Sequence, residues 1–319
     1  GHTMLGIRGS FQGVIEGEVS ELNWGAVDDW LAIGGAELGT GRSVPSLEQY
    51  YAVSRCLENH NVDALLVIGG HRAYESLNRM LAERDRYPGF TIPVIALPTS
   101  IDNNLPGWEM SIGADTALNE IVSAVDRLKQ SAMASRRCFV VEIMGRYCGF
   151  LSLVGAMSVG AEKVYLHENG VRLADLSADV EEMARSFRAG RRFHLAIRNE
   201  NASVGYTTEF MCQLFTEESG GAFDVRPMVL GHLQQGGNPT PFDRIHATRL
   251  AAYCVDWLSA QLDAGTHDWG FVGRGATGLT ALPFNTLPDL VDPQFNRPRS
   301  QWWLDLQPVM EAIAVDPTH

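Results

Sequence analysis

The sequence predicts an α/β protein with mainly parallel sheets, helices on both sheet faces, and length enough for two lobes. Three observations carry this. Runs that are apolar throughout, such as Ile92-Pro93-Val94-Ile95-Ala96-Leu97, suit strands buried on both sides. These runs alternate with amphipathic stretches, the pattern of helices crossing over parallel strands. The 319 residues, 45% of them hydrophobic, can supply a core for each of two lobes.

Taken in order, residues 4–7 read as a short strand and 46–59 have helical spacing. The run 64–68 is a strand ending in Gly69-Gly70, followed by a helix at 73–84. The strand 92–97 comes next, then an amphipathic helix at 116–131 with Leu118, Ile121, Val122, Val125 and Leu128 on one face. Residues 138–143 form a strand and 147–159 a helix rich in small residues. Further strands are expected at 163–166, 194–198 and 229–233, and further helices at 177–189, 207–215 and 242–262.

Several of these strands end in chemistry, and the carboxyl ends of parallel strands are where open α/β sheets bind ligands. Pro98-Thr99-Ser100-Ile101-Asp102-Asn103-Asn104 follows one of them and places the carboxylate of Asp102 among amides and small hydroxyls. By itself the segment reads first as an Asx turn opening a loop, and the rest of the chain reverses that reading. Met144-Gly145-Arg146-Tyr147-Cys148-Gly149 follows the strand 138–143, with glycines that let backbone N–H groups approach a ligand. Gly231-His232-Leu233-Gln234-Gln235-Gly236-Gly237 offers an imidazole and two amides, and Glu200 closes the strand 194–198. Arg137 and Arg226 precede two of these segments. A single surface arginine or histidine is ordinarily a solvated or structural group. Gathered at strand ends, these suit a polyol phosphate, with arginines on phosphate and Glu200 and His232 on hydroxyls.

Composition excludes other classes. A net charge of −13 argues against nucleic acid, which selects a basic face. Five cysteines, Cys56, Cys138, Cys148, Cys212 and Cys254, show neither CxxC pairing nor zinc spacing, which fits reduced thiols and a cytoplasmic location. No apolar run approaches the roughly 18 residues of a membrane span, so no membrane partner is expected. No metal site is expected either.

These residues resemble the ATP-dependent 6-phosphofructokinase family. Ser100-Ile101-Asp102-Asn103-Asn104 is similar to that family's catalytic Thr-Ile-Asp-Asn-Asp loop. The segments starting at Met144 and Leu230 resemble its two sugar-phosphate loops, and Gly34-Gly35-Ala36-Glu37-Leu38-Gly39-Thr40-Gly41-Arg42 resembles a glycine-rich loop. The likeness is closer still to the C-terminal half of the long, tandem-duplicated enzymes, in Ser111-Ile112-Gly113-Ala114-Asp115-Thr116-Ala117-Leu118-Asn119, in Tyr206-Thr207-Thr208 and in Gln301-Trp302-Trp303-Leu304. The resemblance implies that Asp102 is the catalytic base toward the 1-hydroxyl of fructose 6-phosphate. It implies that Arg42, Ser100, Met144, Gly145, Arg146, Glu200, His232 and Gln235 line a sugar-phosphate or effector site. Arg137 and Arg226 would reach such a site across a subunit or half-to-half interface. Gly69 and Gly70 correspond to the nucleotide side, where the family uses Mg and ATP.

The sequence also departs from the family. Where the family has Gly-Gly-Asp-Gly-Ser with a magnesium-organising aspartate, this chain has Gly69-Gly70-His71-Arg72-Ala73. An imidazole does not replace a hard oxygen ligand, and the arginine takes nucleotide space. Asn104 stands for the loop's second aspartate and Gln235 for an arginine. Gly1-His2-Thr3 matches family sequence that follows the first strand, the glycine-rich nucleotide loop and a helix. Two readings stay open. His71-Arg72, Asn104 and Gln235 favour a regulatory half of a glycolytic 6-phosphofructokinase, binding a fructose bisphosphate effector beside a catalytic N-terminal half within a homo-oligomer. Asp102 and Arg146 favour a competent lobe with an altered metal site. In either case the family fold implies two doubly wound lobes with a cleft between them. The expected division is 1–113 plus 234–284 for the first lobe and 114–233 plus 285–319 for the second, with 273–278 near a crossing.

Overall fold

The computed structural model describes residues 1–132, 136–276 and 278–314. The first stretch of chain gives β1 (Leu5–Ile7), α1 (Ser10–Glu16), β2 (Val19–Glu21), α2 (Trp24–Val27), α3 (Tyr50–Asn59), β3 (Leu65–Gly69), α4 (His71–Leu81) and β4 (Val94–Pro98). The middle gives α5 (Ala114–Ala132), β5 (Arg137–Ile143), α6 (Phe150–Val159), β6 (Lys163–Tyr165), α7 (Leu173–Arg188), β7 (Phe193–Asn199), α8 (Thr208–Glu218) and β8 (Asp224–Val229). The remainder gives α9 (Pro241–Ala264), β9 (Trp269–Gly275), β10 (Gly278–Pro283), α10 (Leu287–Leu290), β11 (Val291–Asp292), β12 (Arg297–Pro298) and α11 (Gln307–Ala314).

Two compact units result. The first comprises Gly1–Ser100, Asn104–Gly113 and Asn238–Ser300. Its main sheet has the order β10-β9-β4-β3, with β3, β4 and β9 parallel and β10 antiparallel at one edge. The strand β4 shows why its sequence is apolar throughout. Val94 and Ala96 join a core with Tyr74, Leu77 and Phe271, while Ile95 and Leu97 join another with Leu250, Cys254 and Leu258 of α9. Helices therefore cover both faces, and a residue on either side of the pleat must be apolar.

The second unit comprises Ile101–Asn103, Ala114–Gly237 and Gln301–His319. Its four strands are all parallel, in the order β6-β7-β5-β8. Cys138 and Val140 of β5 pack with Met183, Phe187, Met211 and Phe215 from α7 and α8. On the other side Gly155 of α6 lies against Ile121 of α5 and Ile143 of β5.

The structure corrects four details. The strand expected at 229–233 is displaced: the strand is Asp224–Val229, and Gly231–Gln235 is a 3-10 turn opened by Gly231 at φ +51°. Pro227 is tolerated inside β8 because β8 is a sheet edge. The helix expected from 147 begins at Phe150, since residues 145–148 form a tight turn. Of the stretch 273–278, the described residues belong to the β9–β10 hairpin within the first unit, not to a crossing, and residue 277 lies outside the described residues. Residues 285–300 also belong to the first unit, because Leu287 and Val291 pack into its core. All five cysteines are buried and unbridged. Among the described residues no helix is long and apolar enough to cross a membrane.

Candidate functional site

The second unit concentrates the chemistry at the carboxyl ends of β7, β5 and β8, three adjacent parallel strands. Parallel pairing in register puts the residues after Ile143, Asn199 and Val229 side by side. The ladder continues past the strands, with the Glu200 N–H donating to Ile143 O at 2.9 Å and the Leu230 N–H to Glu142 O at 3.2 Å.

Glu200 organises the loop after β5. Its Oε1 accepts the Gly145 N–H at 3.1 Å and the Arg146 N–H at 2.7 Å. These bonds hold Gly145 at φ +134° and Arg146 at φ +49°, conformations a non-glycine residue adopts only under local constraint. A Cβ on Gly145 would collide with the Cys148 carbonyl, so glycine is required there. The Cys148 N–H closes the turn onto Gly145 O at 2.8 Å.

Two further residues knit the loops together. The buried side chain of Gln234 accepts the Met144 N–H at 3.2 Å and donates to Gly231 O at 3.0 Å. It thereby ties the turn bearing His232 and Gln235 to the end of β5. Gln235 lies 3.9 Å from the Met144 sulfur, and both it and His232 are solvent-exposed. Asn103 is buried at φ +51°, with its carbonyl 4.0 Å from the Cys148 Sγ. This places Asp102 beside the Glu200 loop. Burial first and the Glu200 charge second push the Asp102 carboxyl up to about 6, against the opposing pull of the Arg146 guanidinium. A carboxylate with that affinity is ionised at neutral pH and still basic enough to take an alcohol proton.

Arg137 and Arg226 stand elsewhere. Arg137 opens β5, seven residues before Met144, and about 20 Å of extended strand separates the two. Its Nε lies 3.4 Å from Asp224, and Arg226 Nη2 is 2.9 Å from the same carboxylate. The two arginines thus form a pair around Asp224 near the amino ends of the strands, away from Asp102 and Glu200.

Four of the expected site residues lie in the first unit. Ser100 donates from Oγ to Asn104 at 2.8 Å, and Arg42 is exposed on the loop before α3. Gly69 ends β3, its carbonyl accepting the Thr99 N–H at 3.1 Å, and Gly70 caps α4. The first residues of α4 are His71 and Arg72. Arg72 pairs with Glu75 at 2.9 Å, and burial holds the His71 imidazole below its ordinary range. A guanidinium in the first turn of a helix is disfavoured by the helix dipole, and the Glu75 carboxylate offsets that cost.

Sequence reasoning missed Glu142 and Arg198, and it gave Gln234 and Cys148 no role in tying the loops together. Glu142 and Arg198 carry the available signal, each a charged residue inside a largely apolar strand, Arg137–Ile143 and Phe193–Asn199.

Comparison with known proteins gives consistent likenesses. A family model described as Phosphofructokinase matches residues 1–258. The ATP-dependent 6-phosphofructokinase, platelet type, of Rattus norvegicus is 39% identical over 325 residues, which span 98% of this chain and 41% of that protein. The ATP-dependent 6-phosphofructokinase of Dictyostelium discoideum is 40% identical over 320 residues, spanning 99% of this chain and 38% of that one. The solved phosphofructokinase from Saccharomyces cerevisiae matches with a TM-score of 0.94 at 32% identity, over 98% of this chain and 43% of the other. A pyrophosphate-dependent phosphofructokinase from Marinobacter aquaeolei, at 15% identity and TM-score 0.73, shares the fold over 98% of this chain and 83% of its own. The chain spans about two-fifths of the length of the curated relatives it matches.

Proposed function

The chain belongs to the phosphofructokinase family, and from that premise we propose that it is the regulatory, C-terminal half of a glycolytic 6-phosphofructokinase. In this reading the parent protein transfers a phosphoryl group from ATP to fructose 6-phosphate, and this half binds a fructose bisphosphate as effector. The observation that carries the proposal is an asymmetry between two strand ends. At the carboxyl ends of β5, β7 and β8 the polar groups are intact and organised, with Glu200 fixing the Gly145–Arg146 backbone. At the end of β3 stand His71 and an Arg72 paired with Glu75.

Magnesium does not fit that second position. The segment from Gly69 to Ala73 has no side-chain carboxylate, and Mg²⁺ requires hard oxygen ligands in octahedral array. Among the described residues no cluster of three His, Cys, Asp or Glu side chains is disposed to hold a metal. No phosphoryl-transfer step is therefore assigned to this half.

The sugar-phosphate role of Arg146, His232 and Glu200 is supported by Arg146 and Glu200 facing Asp102 and by His232 standing on the turn that Gln234 ties to the end of β5. The pairing of Arg137 and Arg226 at the opposite strand ends supports a different use. There they are placed to complete a second site, on the catalytic half or on another copy. That arrangement makes binding dependent on assembly in the cytoplasm as an oligomer.

The alternative is a competent lobe in which Asp102 takes the proton of the sugar hydroxyl. The raised affinity of Asp102, about 6, favours it. Calorimetric and thermal titration separates the two readings. Fructose 2,6-bisphosphate should bind and raise the melting temperature by mass action, while millimolar Mg-ATP should leave it unmoved. A Mg-dependent ATP shift that disappears in Asp102→Ala would reject the regulatory reading and install the enzyme.

A further inference from the structure

Arg198 lies in the middle of the sheet on β7, only 1% exposed, opposite Glu142 in the register of β5. A guanidinium so placed is costly unless its donors are met. They are met by Glu142 of β5 and by one loop. Nη1 donates to Glu142 Oε2 and to the Glu200 carbonyl, both at 2.9 Å. Nη2 donates to the Ser203 carbonyl at 2.7 Å, and Nε to the Tyr206 carbonyl at 3.2 Å. Residues 200–206 thus wrap around the guanidinium, and the Tyr206 N–H closes the loop on Ser203 Oγ at 3.0 Å. Glu142 Oε2 also accepts the Thr208 hydroxyl at the start of α8, which fixes the far end of the wrap.

We propose that Arg198 is the positioning residue of this site: by anchoring the Glu200 main chain, it aims the Glu200 carboxylate at the amides of Gly145 and Arg146. A planar fork with four acceptors in fixed directions is what this requires, and a lysine ammonium does not reproduce it. The chain of contacts runs from Glu142 through Arg198 to the Glu200 carbonyl, and from the Glu200 carboxylate to the loop after β5. The consequence for ligand rests on the sugar-phosphate reading, but the positioning itself does not.

The test is Arg198→Lys, read without ligand. Amide exchange at Gly145 and Arg146 should quicken about tenfold, the scale of one lost hydrogen bond, while Val140 and Ile197 in the strands exchange as before. The charged groups facing Asp102 are Glu200 and Arg146. If Glu200 swings away, the Asp102 carboxyl followed by ¹³C NMR should titrate at a lower pH than in the unaltered protein. A lowered melting temperature with both readouts unmoved would make Arg198 a structural staple and overturn the proposal. Should Arg198→Lys not fold, Ser203→Ala loosens the same wrap from its surface. It should move both readouts in the same direction by a smaller factor, and no movement there overturns the proposal equally. Because neither readout needs a sugar phosphate, failure of fructose bisphosphate to bind leaves this result interpretable.

Discussion

Glu200 accepts the main-chain N–H of Arg146 at 2.7 Å, although Arg146 is held at φ +49° and carries its guanidinium into solvent. A carboxylate here fixes a backbone and contributes charge in one act. Its charge is felt by Asp102, whose proton affinity rises through burial first and through Glu200 second. The site is thus two carboxylates of unlike duty, one committed to amides and one left basic.

That division gives Asp102 a pH signature. Its carboxyl is pushed up to about 6 in the folded state, against an ordinary value of 3.8. Above pH 6 both states are ionised and the fold carries the full penalty. Between about 6 and 4 the folded state takes the proton first, so this group's contribution to stability rises as pH falls. The shift corresponds to at most about 3 kcal/mol, and solvent access reduces it to about 1–2 kcal/mol. Asp102→Asn should therefore raise the melting temperature by a few degrees at pH 7.5 and by nothing near pH 4. A gain equal at both values would place the effect in packing rather than charge.

Gly145→Ala should be among the most damaging small substitutions. It combines positive φ with collision against the Cys148 carbonyl, and relief requires moving the turn that Glu200 holds. A loss of about 1–3 kcal/mol is expected in denaturant unfolding. An unaltered midpoint would mean that the turn relaxes freely.

Much of this fold is legible in the sequence because its strands are buried on both faces. Ile95 and Leu97 point to one core and Val94 and Ala96 to another, so hydrophobicity marks the strand without ambiguity. The hairpin β9–β10 is harder to read. Trp269 to Gly275 contains three glycines, and its antiparallel partner closes the edge without a crossover helix. In the site, Asp102, Arg146 and Glu200 are visible because polar residues after apolar strands mark ligand ends. The use of the Gln234 amide to tie two loops together, and the part played by Arg198, are not visible in that way. Both arise from partners, 90 residues away at Met144 and 56 away at Glu142, contacts that only the sheet order creates.

Arg137→Ala or Arg226→Ala should weaken fructose bisphosphate binding by about 1.5–3 kcal/mol, the scale of a charge-assisted hydrogen bond. Because the pair lies far along the strands from Asp102, the loss should appear only under conditions where the assembled protein forms. Mixing either variant with Glu200→Gln protein tests this, since complementary copies should restore one intact site. Unchanged affinity in both single variants would remove the arginines from the ligand site.

His194 supplies a second, opposite pH dependence. It is buried in β7 with neither ring nitrogen hydrogen-bonded, its ring 5.2 Å from that of Phe187 and its Nδ1 3.9 Å from Glu162. Burial first, then Arg191 and Lys163 against the opposing Glu182, lowers its pKa to about 4. The unfolded chain binds this proton near 6.5 and the folded chain only near 4, so stability falls as pH drops through that window. The full effect is up to about 3 kcal/mol. His194→Leu should flatten the acid limb between pH 6.5 and 4, measured by urea midpoints. Parallel acid limbs in the two proteins would assign the loss to carboxylates instead.

The last expectation concerns β3. This strand is an edge, and the bonds from Leu65 N–H to Pro93 O and from Thr99 N–H to Gly69 O direct its odd-numbered residues to β4. Leu66 and Ile68 therefore turn their backbone groups outward, and Ile68 is 62% exposed. The edges of the other four-stranded sheet are blunted: β8 contains Arg226 and Pro227, and β6 is three residues long and opens with Lys163. Leu65-Leu66-Val67-Ile68-Gly69 has neither a charge nor a proline. An unprotected apolar edge pairs with another strand when one is offered. The isolated 319-residue chain should accordingly self-associate, and Ile68→Lys should suppress that association in light scattering while changing the unfolding midpoint by no more than about 0.5 kcal/mol. Monodisperse behaviour of the unaltered chain at high concentration would show that the edge is quiet. Association that persists in Ile68→Lys would locate the contact on another surface.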